Sequence, residues 1–133
     1  MSQFAPHAFA ILRIVAGLLF ATHGSQKLLG YPPMQGGGGG SLPPLMVVGG
    51  GIELIGGVLI VIGLLTPWVA FICSGEMAVA YFMAHAARHP IPLVNRGELA
   101  VLYAFLWLFV AAHGAGIWSV DAALKRKPPV TPS

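Results

Sequence analysis

The chain has 133 residues, enough for one domain, and 56% of them are hydrophobic while only 8% are charged. Soluble domains carry about 25% charged residues, so this composition excludes an ordinary water-soluble domain. The net charge of +3 comes from scattered basic residues and one basic cluster at 125–127. That pattern excludes a nucleic-acid-binding surface and is typical of a basic segment flanking a membrane helix.

The hydropathy pattern predicts an all-α, four-helix transmembrane bundle within residues 1–124. Four apolar runs approach the ~20 residues that a membrane span requires, at residues 8–29, 45–65, 68–87 and 97–118. Between the first two runs, residues 31–44 contain four prolines and five consecutive glycines. This composition predicts a flexible loop outside the membrane. Residues 125–133 form a basic, Pro-rich tail that we expect to be disordered.

Four spans would place both termini on the same side of the membrane. The basic tail assigns that side to the cytoplasm under the positive-inside rule, although Lys27, Arg88 and Arg96 lie at the opposite end. We therefore expect a multi-pass protein of the cell's inner membrane, surrounded by lipid, with cytoplasmic termini.

Ionisable side chains interrupt the apolar spans. Each ionised group costs at least ~2.5 kcal/mol at the centre of a membrane helix, so these groups should face one another in the bundle. The predicted polar pocket consists of Arg13, His23, Lys27, Glu53, Glu76 and Glu98. Depth along the helices pairs Arg13 with Glu76, and Lys27 with Glu98 or Glu53. The five charged members sum to −1, so one acid is expected to stay protonated, with Glu53 as the candidate.

Helical spacing assigns an inward face to each span. The four predicted faces are Arg13, Gly17, Phe20, Gly24 and Lys27; Gly49, Glu53, Gly56 or Gly57, and Ile60; Glu76, Ala80, Met83 and Ala87; and Glu98, Leu102, Phe105, Phe109 and Ala112. The small residues of the second face would let two backbones approach closely. His85, nine positions from Glu76, would reach the pocket only if the third span is kinked.

The buried charges support two interpretations. Ion pairs between helices can simply fix which helices pack together, whereas ionisable groups inside a membrane more often mark a binding or transfer site. The whole set, with His23 beside it, favours a pocket that binds a small molecule. The sequence has no ExxH spacing, and no metal site is predicted.

The order and spacing of several motifs resemble the DoxX family of small four-helix membrane proteins. The resemblance runs from Arg13 to Asp121 and departs from the family only in the Gly-rich first loop. The residues that carry it are Arg13 to Gly17, His23-Gly24, Lys27-Leu28, Gly50, Glu53, Glu76, Tyr81-Phe82, His85, Pro92, Asn95, Gly97-Glu98, Tyr103, Gly114 to Gly116 and Ser119 to Asp121.

The resemblance implies a redox context. The family takes its name from subunits of a terminal quinol oxidase and of a related thiosulfate:quinone oxidoreductase. By this likeness the chain would be an oxidoreductase subunit with a quinone as its cofactor or substrate. His85, Asn95 and Tyr103 join the candidate site as weaker members.

Two functions from different classes fit these observations. In the first, Glu53, Glu76 and His23 exchange protons with a quinone headgroup, and a soluble or membrane-bound oxidoreductase partner supplies electrons. The slot for the quinone, or only core packing, would come from Phe20, Phe105, Trp107 and Phe109. In the second, the chain is a non-catalytic membrane anchor or assembly factor. A transporter ranks third, and would need a homo-oligomer to complete a pathway.

Overall fold

A computed structural model describes residues 1–36 and 40–126, and the regular structure in these ranges is helical. A short 3₁₀ turn, Ser2–Phe4, precedes α1. The helices are α1 (Ala5–Leu29), α2 (Pro44–Ile62), α3 (Thr66–Tyr81), α4 (Pro92–Asn95), α5 (Glu98–His113) and α6 (Val120–Lys125). The predicted disordered tail lies outside the described residues from position 127 onward, as do positions 37–39 of the glycine tract.

The predicted class, an all-α membrane bundle, is confirmed. Three helices are long and apolar enough to cross a membrane: the one that ends at Leu29, α2, and the continuous stretch Thr66–Ala86. The fourth apolar helix, α5, has 16 residues. At ~1.5 Å per residue its length of about 24 Å falls short of a ~30 Å hydrocarbon core. A fourth crossing therefore stays a prediction.

Prolines and glycines set the helix boundaries. Pro44 and Pro67 lie in the first turns of α2 and α3, where a missing backbone N–H costs nothing. Gly63 ends α2 with a left-handed φ of 71°. The predicted span 97–118 extends too far because the chain leaves the helix at Gly114, whose φ is 86° and ψ −173°.

Helices α1 and α2 pack backbone to backbone through glycine. A Cβ atom added at Gly57 would lie 2.6 Å from the Ala21 nitrogen, and one added at Gly24 would collide with the backbone of Leu54. Neither position can hold a larger side chain without separating the helices. The inward faces predicted for the first two spans are therefore correct, since Gly17, Gly24, Gly56 and Gly57 are all buried.

Large aromatic rings fill the space between α1 and α5. Phe20 packs against Tyr103 and Trp107, with ring centroids 5.1 and 5.3 Å apart. Helix α3 is tied to α5 by the Ser74 hydroxyl, which donates to the Ala104 carbonyl at 2.7 Å. Phe20 and Trp107, predicted as a quinone slot or core packing, are packing residues.

The face predicted for the fourth span is wrong. Leu102, Phe105 and Phe109 are 66, 67 and 53% exposed on the outside of the bundle. The buried face of α5 carries Tyr103, Trp107 and Val110 instead. The prediction aligned the face on Glu98, which lies exposed in the first turn of α5. There the helix dipole favours an acid, so its charge needs no interior partner.

The face predicted for the third span is only half buried. Glu76 and Ala80 are partly covered, whereas Met83 and Ala87 are exposed. The buried stripe of α3 lies one position further round the helix, at Thr66, Ala70, Cys73 and Met77. The Glu76 stripe therefore faces the gap between α2 and α3 rather than the centre of the bundle.

Candidate functional site

Arg13 is fully buried and is bound by backbone carbonyl groups. Its Nη1 donates to the carbonyls of Ile60 and Val61, the latter at 2.7 Å, and its Nη2 donates to those of Trp118 at 2.7 Å and Ile117 at 3.4 Å. The α2 carbonyls belong to the last turn of that helix, where they have no partner within the helix. A cation also favours the negative end of the helix dipole.

The predicted pairing of Arg13 with Glu76 is therefore wrong. The terminal nitrogens of Arg13 donate to four carbonyl groups instead. These groups lie at the end of the bundle where α1 begins, which we call the terminal end. Depth along the helix was a poor guide because carbonyl groups at a helix end can stabilise a buried cation through hydrogen bonds and their partial negative charge, without a carboxylate in contact.

Asp121 completes the terminal end. Its carboxylate accepts from the backbone N–H groups of Leu65 and Thr66, both at 2.9 Å, at the start of α3. Burial raises the pKa of Asp121, but these hydrogen bonds outweigh it, so the pKa lies below the usual 3.8. The sequence predicted no contact for Asp121, because its partners lie 55 and 56 positions away.

Lys27 and Glu53 form an ion pair at the opposite, loop end of the bundle. The Lys27 Nζ atom lies 2.7 Å from Glu53 Oε1, which confirms one of the two predicted pairings. Glu53 is 2% exposed, and its second oxygen, Oε2, has no hydrogen-bond partner in the described part of the chain. Glu53 therefore has a cation at its own depth, and the reason for choosing it as the candidate protonated acid, that no cation matches its depth, is wrong.

Glu76 is the neighbouring acid that has no hydrogen-bonded cation among the described residues. It interacts electrostatically with Glu53 and Lys27, and its buried Oε2 lacks a partner in residues 1–36 and 40–126. Its other oxygen lies against α2, where a Cβ added at Gly49 would be only 3.1 Å away. The glycine therefore leaves room for this carboxylate.

Two further predicted residues lie beside these acids. His23 is partly buried, and its ring faces that of Tyr103 edge-on at 6.2 Å. Tyr103 is 6% exposed and interacts electrostatically with Glu53. The structure therefore brings together Lys27, Glu53 and Glu76, with His23 and Tyr103 alongside. We call the first three the carboxylate–lysine cluster.

His85 and Asn95 belong to a separate cluster. A π-helical turn, Phe82–Ala86, continues α3 and directs the His85 Nδ1 atom to the Asn95 carbonyl at 3.0 Å. The Asn95 amide donates to the Tyr81 hydroxyl at 3.2 Å and to the His89 carbonyl at 2.7 Å. The Asn95 hydrogen bonds tie α4 to the end of α3. With Glu98 exposed, the structure leaves Glu98, His85 and Asn95 out of the carboxylate–lysine cluster.

A groove of about 550 Å³ separates α2 from α3 and reaches the carboxylate–lysine cluster. Glu76 and Lys27 contribute its polar groups, and apolar side chains line the rest. Ile72, Val79 and Met83 on its rim are 56, 51 and 61% exposed, so the groove opens sideways on the outer surface of the bundle. A molecule could enter it from the lipid.

The groove continues along the same two helices toward the terminal end. A second cavity of about 330 Å³ shares Val48, Ile52 and Ile72 with the first, passes Cys73 and ends beside Leu59 and Val69. We call the two cavities together the α2–α3 groove. Sequence reasoning missed this feature. The sequence feature that could have indicated the groove is glycine on both helices. Gly49 and Gly75 line the first cavity and leave the space between the helices open.

A third cavity lies at the loop end. It has a volume of about 680 Å³, and its lining includes Gln26, Lys27 and Val47. Lys27 lines both this cavity and the α2–α3 groove. The Lys27 ammonium group therefore stands between the two spaces.

The comparisons with known proteins agree with the helical architecture. The family model described as DoxX matches residues 8–86. A protein of Haemophilus influenzae, strain ATCC 51907 / DSM 11121 / KW20 / Rd, is 40% identical over 131 residues, and the match covers 96% of this chain and 98% of the relative. That relative carries the description "uncharacterized protein". No solved structure matches.

Proposed function

The chain belongs to the DoxX family of membrane proteins, and on that premise we propose that it binds a membrane quinone in the α2–α3 groove as a subunit of a redox system. The observation that carries the proposal is the carboxylate–lysine cluster at the inner end of a groove that opens toward lipid. A quinone has the matching chemistry, with a polar headgroup and a long apolar tail.

The headgroup would lie beside Glu76 and Lys27. A quinol hydroxyl can donate to the unpartnered Glu76 carboxylate, and a quinone carbonyl can accept from one of the Lys27 donors that Glu53 leaves free. Reduction of a quinone takes up two electrons and two protons. In our proposal Glu76 exchanges protons with the headgroup, while a partner oxidoreductase subunit carries the electrons.

The tail would follow the second cavity toward Cys73. Burial of apolar tail surface contributes about 25 cal/mol per Å², so an aliphatic groove favours a long hydrocarbon chain over a small polar ligand. Phe105 and Phe109, which we expected to form the slot or only to pack in the core, are exposed, do not line this groove and have no part in the proposal.

The alternative is a non-catalytic membrane anchor whose buried charges only hold the helices together. The Lys27–Glu53 ion pair at 2.7 Å is the observation that favours it. The two functions differ in what Glu76 does. An anchor needs no ligand there, whereas quinone binding depends on that carboxylate.

Quinol binding by the purified protein distinguishes them. We expect Glu76→Gln to weaken binding about tenfold or more, because a hydrogen bond to a charged group is worth about 1.5–3 kcal/mol. Glu53→Gln should weaken binding less, since Glu53 does not line the groove. Equal affinity of the wild type and Glu76→Gln would contradict the proposal.

A glycine pair supplies the matched control. With a quinol that lacks the tail, Gly49→Ala places a methyl group against the Glu76 carboxylate and should also weaken binding, whereas Gly51→Ala, at the wall of the second cavity where only the tail would lie, meets open space. Both variants gain the same helix propensity, so any difference in affinity reports the displacement of Glu76.

We further propose that the chain lies in the cell's inner membrane with its termini in the cytoplasm. Lys125 and Arg126 lie near the terminal end, and a third basic residue, Lys127, follows them in the sequence. Arg88 and Arg96 are two exposed basic residues at the loop end, where Lys27 is already paired with Glu53. The excess of three over two favours cytoplasmic termini.

A further inference from the structure

We propose that the loop-end cavity is the water-filled entrance through which Glu53 and Glu76 exchange protons, so that this exchange is restricted to the loop side of the membrane. The inference rests on the proposed function only for the use made of the protons. The water route itself follows from the position of Lys27 and from the distribution of polar and apolar side chains.

The first observation is the place of Lys27 between two spaces. It lines the loop-end cavity of about 680 Å³ and also the groove that contains Glu76. Its side chain is 26% exposed while that of Glu53 is 3% exposed, so the lysine is the more accessible member of the ion pair. A cavity of this size with polar groups on its wall can hold many water molecules.

The second observation is the pair of unpartnered carboxylate oxygens behind Lys27. Glu53 Oε2 and Glu76 Oε2 are both buried without a hydrogen bond from any described residue. A buried carboxylate oxygen left in this way costs free energy, and a proton or a water molecule removes that cost. Water that passes Lys27 from the loop-end cavity would supply either one.

The third observation is the apolar layer on the other side of the acids. Between them and Arg13 the interior is filled by Phe20, Ile60, Cys73 and Trp107, each 0% exposed. These side chains give water no polar partners, so the layer separates the acids from the terminal end. The titratable groups near the acids are His23, Lys27, Glu53, Cys73, Glu76 and Tyr103.

The proton steps balance without another reactant. Lys27 gives a proton to a carboxylate of the cluster, and water in the loop-end cavity returns a proton to Lys27. The carboxylic acid then passes its proton to the bound headgroup. The reverse order releases protons to the loop side.

Thiol accessibility in membrane vesicles tests this directly, because Cys73 is the sole cysteine of the chain. In a Cys73→Ala background, Gln26→Cys and Glu76→Cys place reporters in the loop-end cavity and at the acid. The probe is a membrane-impermeant, positively charged methanethiosulfonate reagent applied to right-side-out or inside-out vesicles. Ser41→Cys and Lys125→Cys, both at exposed positions, mark the loop side and the terminal side.

We expect both reporters to react from the side on which Ser41→Cys reacts, and at least about tenfold more slowly from the Lys125→Cys side, since an ion must cross the apolar layer. Native Cys73, within that layer, should react from neither side. Reaction of Glu76→Cys from the terminal side would overturn the proposal, as would no reaction of either reporter.

Lys27→Cys serves as the second reporter if Glu76→Cys does not fold, with the same expected result and the same contrary result. No quinone is present in this experiment. Its failure is therefore distinct from failure of the proposed function, which the quinol-binding measurement tests.

Discussion

Arg13 and Lys27 lie on the same face of α1, yet their surroundings differ. Arg13 gives four hydrogen bonds to main-chain carbonyls that cannot change their protonation state. Lys27 gives one hydrogen bond to a carboxylate, and two carboxylate oxygens near it have no partner among the described residues. Cavities border Lys27 on two sides.

The groups around each cation distinguish a structural role from a functional one more clearly than the burial of the cation does. A cation whose terminal nitrogens are held by rigid backbone groups fixes the packing of helices and has little capacity for chemistry. A cation beside unsatisfied, titratable oxygens and open space can exchange protons and bind a ligand. Both residues satisfy the rule that charges inside a membrane protein face the interior, and that rule alone does not tell them apart.

The largest expected effect is the loss of stability when Arg13, the cation bound by backbone carbonyl groups, is replaced. Arg13→Met removes four hydrogen bonds from a cation to carbonyl groups, and we expect it to lower the free energy of unfolding by about 3–5 kcal/mol, since each such bond is worth about 1.5–3 kcal/mol and the four do not add fully. Lys27→Met should cost a similar amount at neutral pH and less at lower pH, because the buried Glu53 carboxylate left without its cation can take up a proton, whereas carbonyl groups cannot. Thermal unfolding in detergent at two pH values measures both, and the same pH dependence for the two variants would contradict the distinction.

A smaller loss of stability is expected when Asp121, at the terminal end, is replaced. Asp121 holds the N-terminus of α3, and loss of such a cap costs about 1 kcal/mol. Because its pKa in the folded protein is lowered, its stabilisation is complete above the unfolded value near 3.8 and is lost as pH falls through the folded pKa. Asp121→Asn should therefore lower the melting temperature at neutral pH and remove this part of the acid dependence.

Glu98→Gln is the matched control for Asp121→Asn. Glu98 is likewise an acid near a helix N-terminus, but it is exposed and accepts no hydrogen bond from the residues that the structure describes. Its substitution should change the melting temperature little. If both variants have the same effect, the hydrogen bonds to Leu65 and Thr66 are not the source of the stabilisation.

Much of the fold could be predicted because a lipid bilayer restricts the length and the polarity of the helices that cross it. Apolar length located the helices, and steps of three and four identified the glycine face between α1 and α2. The face of α5 could not be found in this way, because that helix is apolar on all sides and Glu98 was a misleading reference. The end of α5 depended on the backbone conformation of Gly114, which its neighbours in sequence do not determine.

The candidate site was predictable only in part. Lys27 and Glu53 could be paired from their depth, since both lie near the loop end. The partner of Arg13 could not, because main-chain carbonyls leave no trace in the sequence. The α2–α3 groove also escaped prediction, since it results from glycines on two helices whose relative rotation only the tertiary structure defines.

Photolabelling with an azido-quinone tests the central claim most directly, because it asks where a quinone lies rather than whether it binds. We predict that the label is recovered on peptides of α2 and α3 around Gly49 and Glu76, and that excess unlabelled quinone or Glu76→Gln removes it. Labelling confined to the exposed aromatic face of α5, or labelling that Glu76→Gln leaves unchanged, would contradict the account.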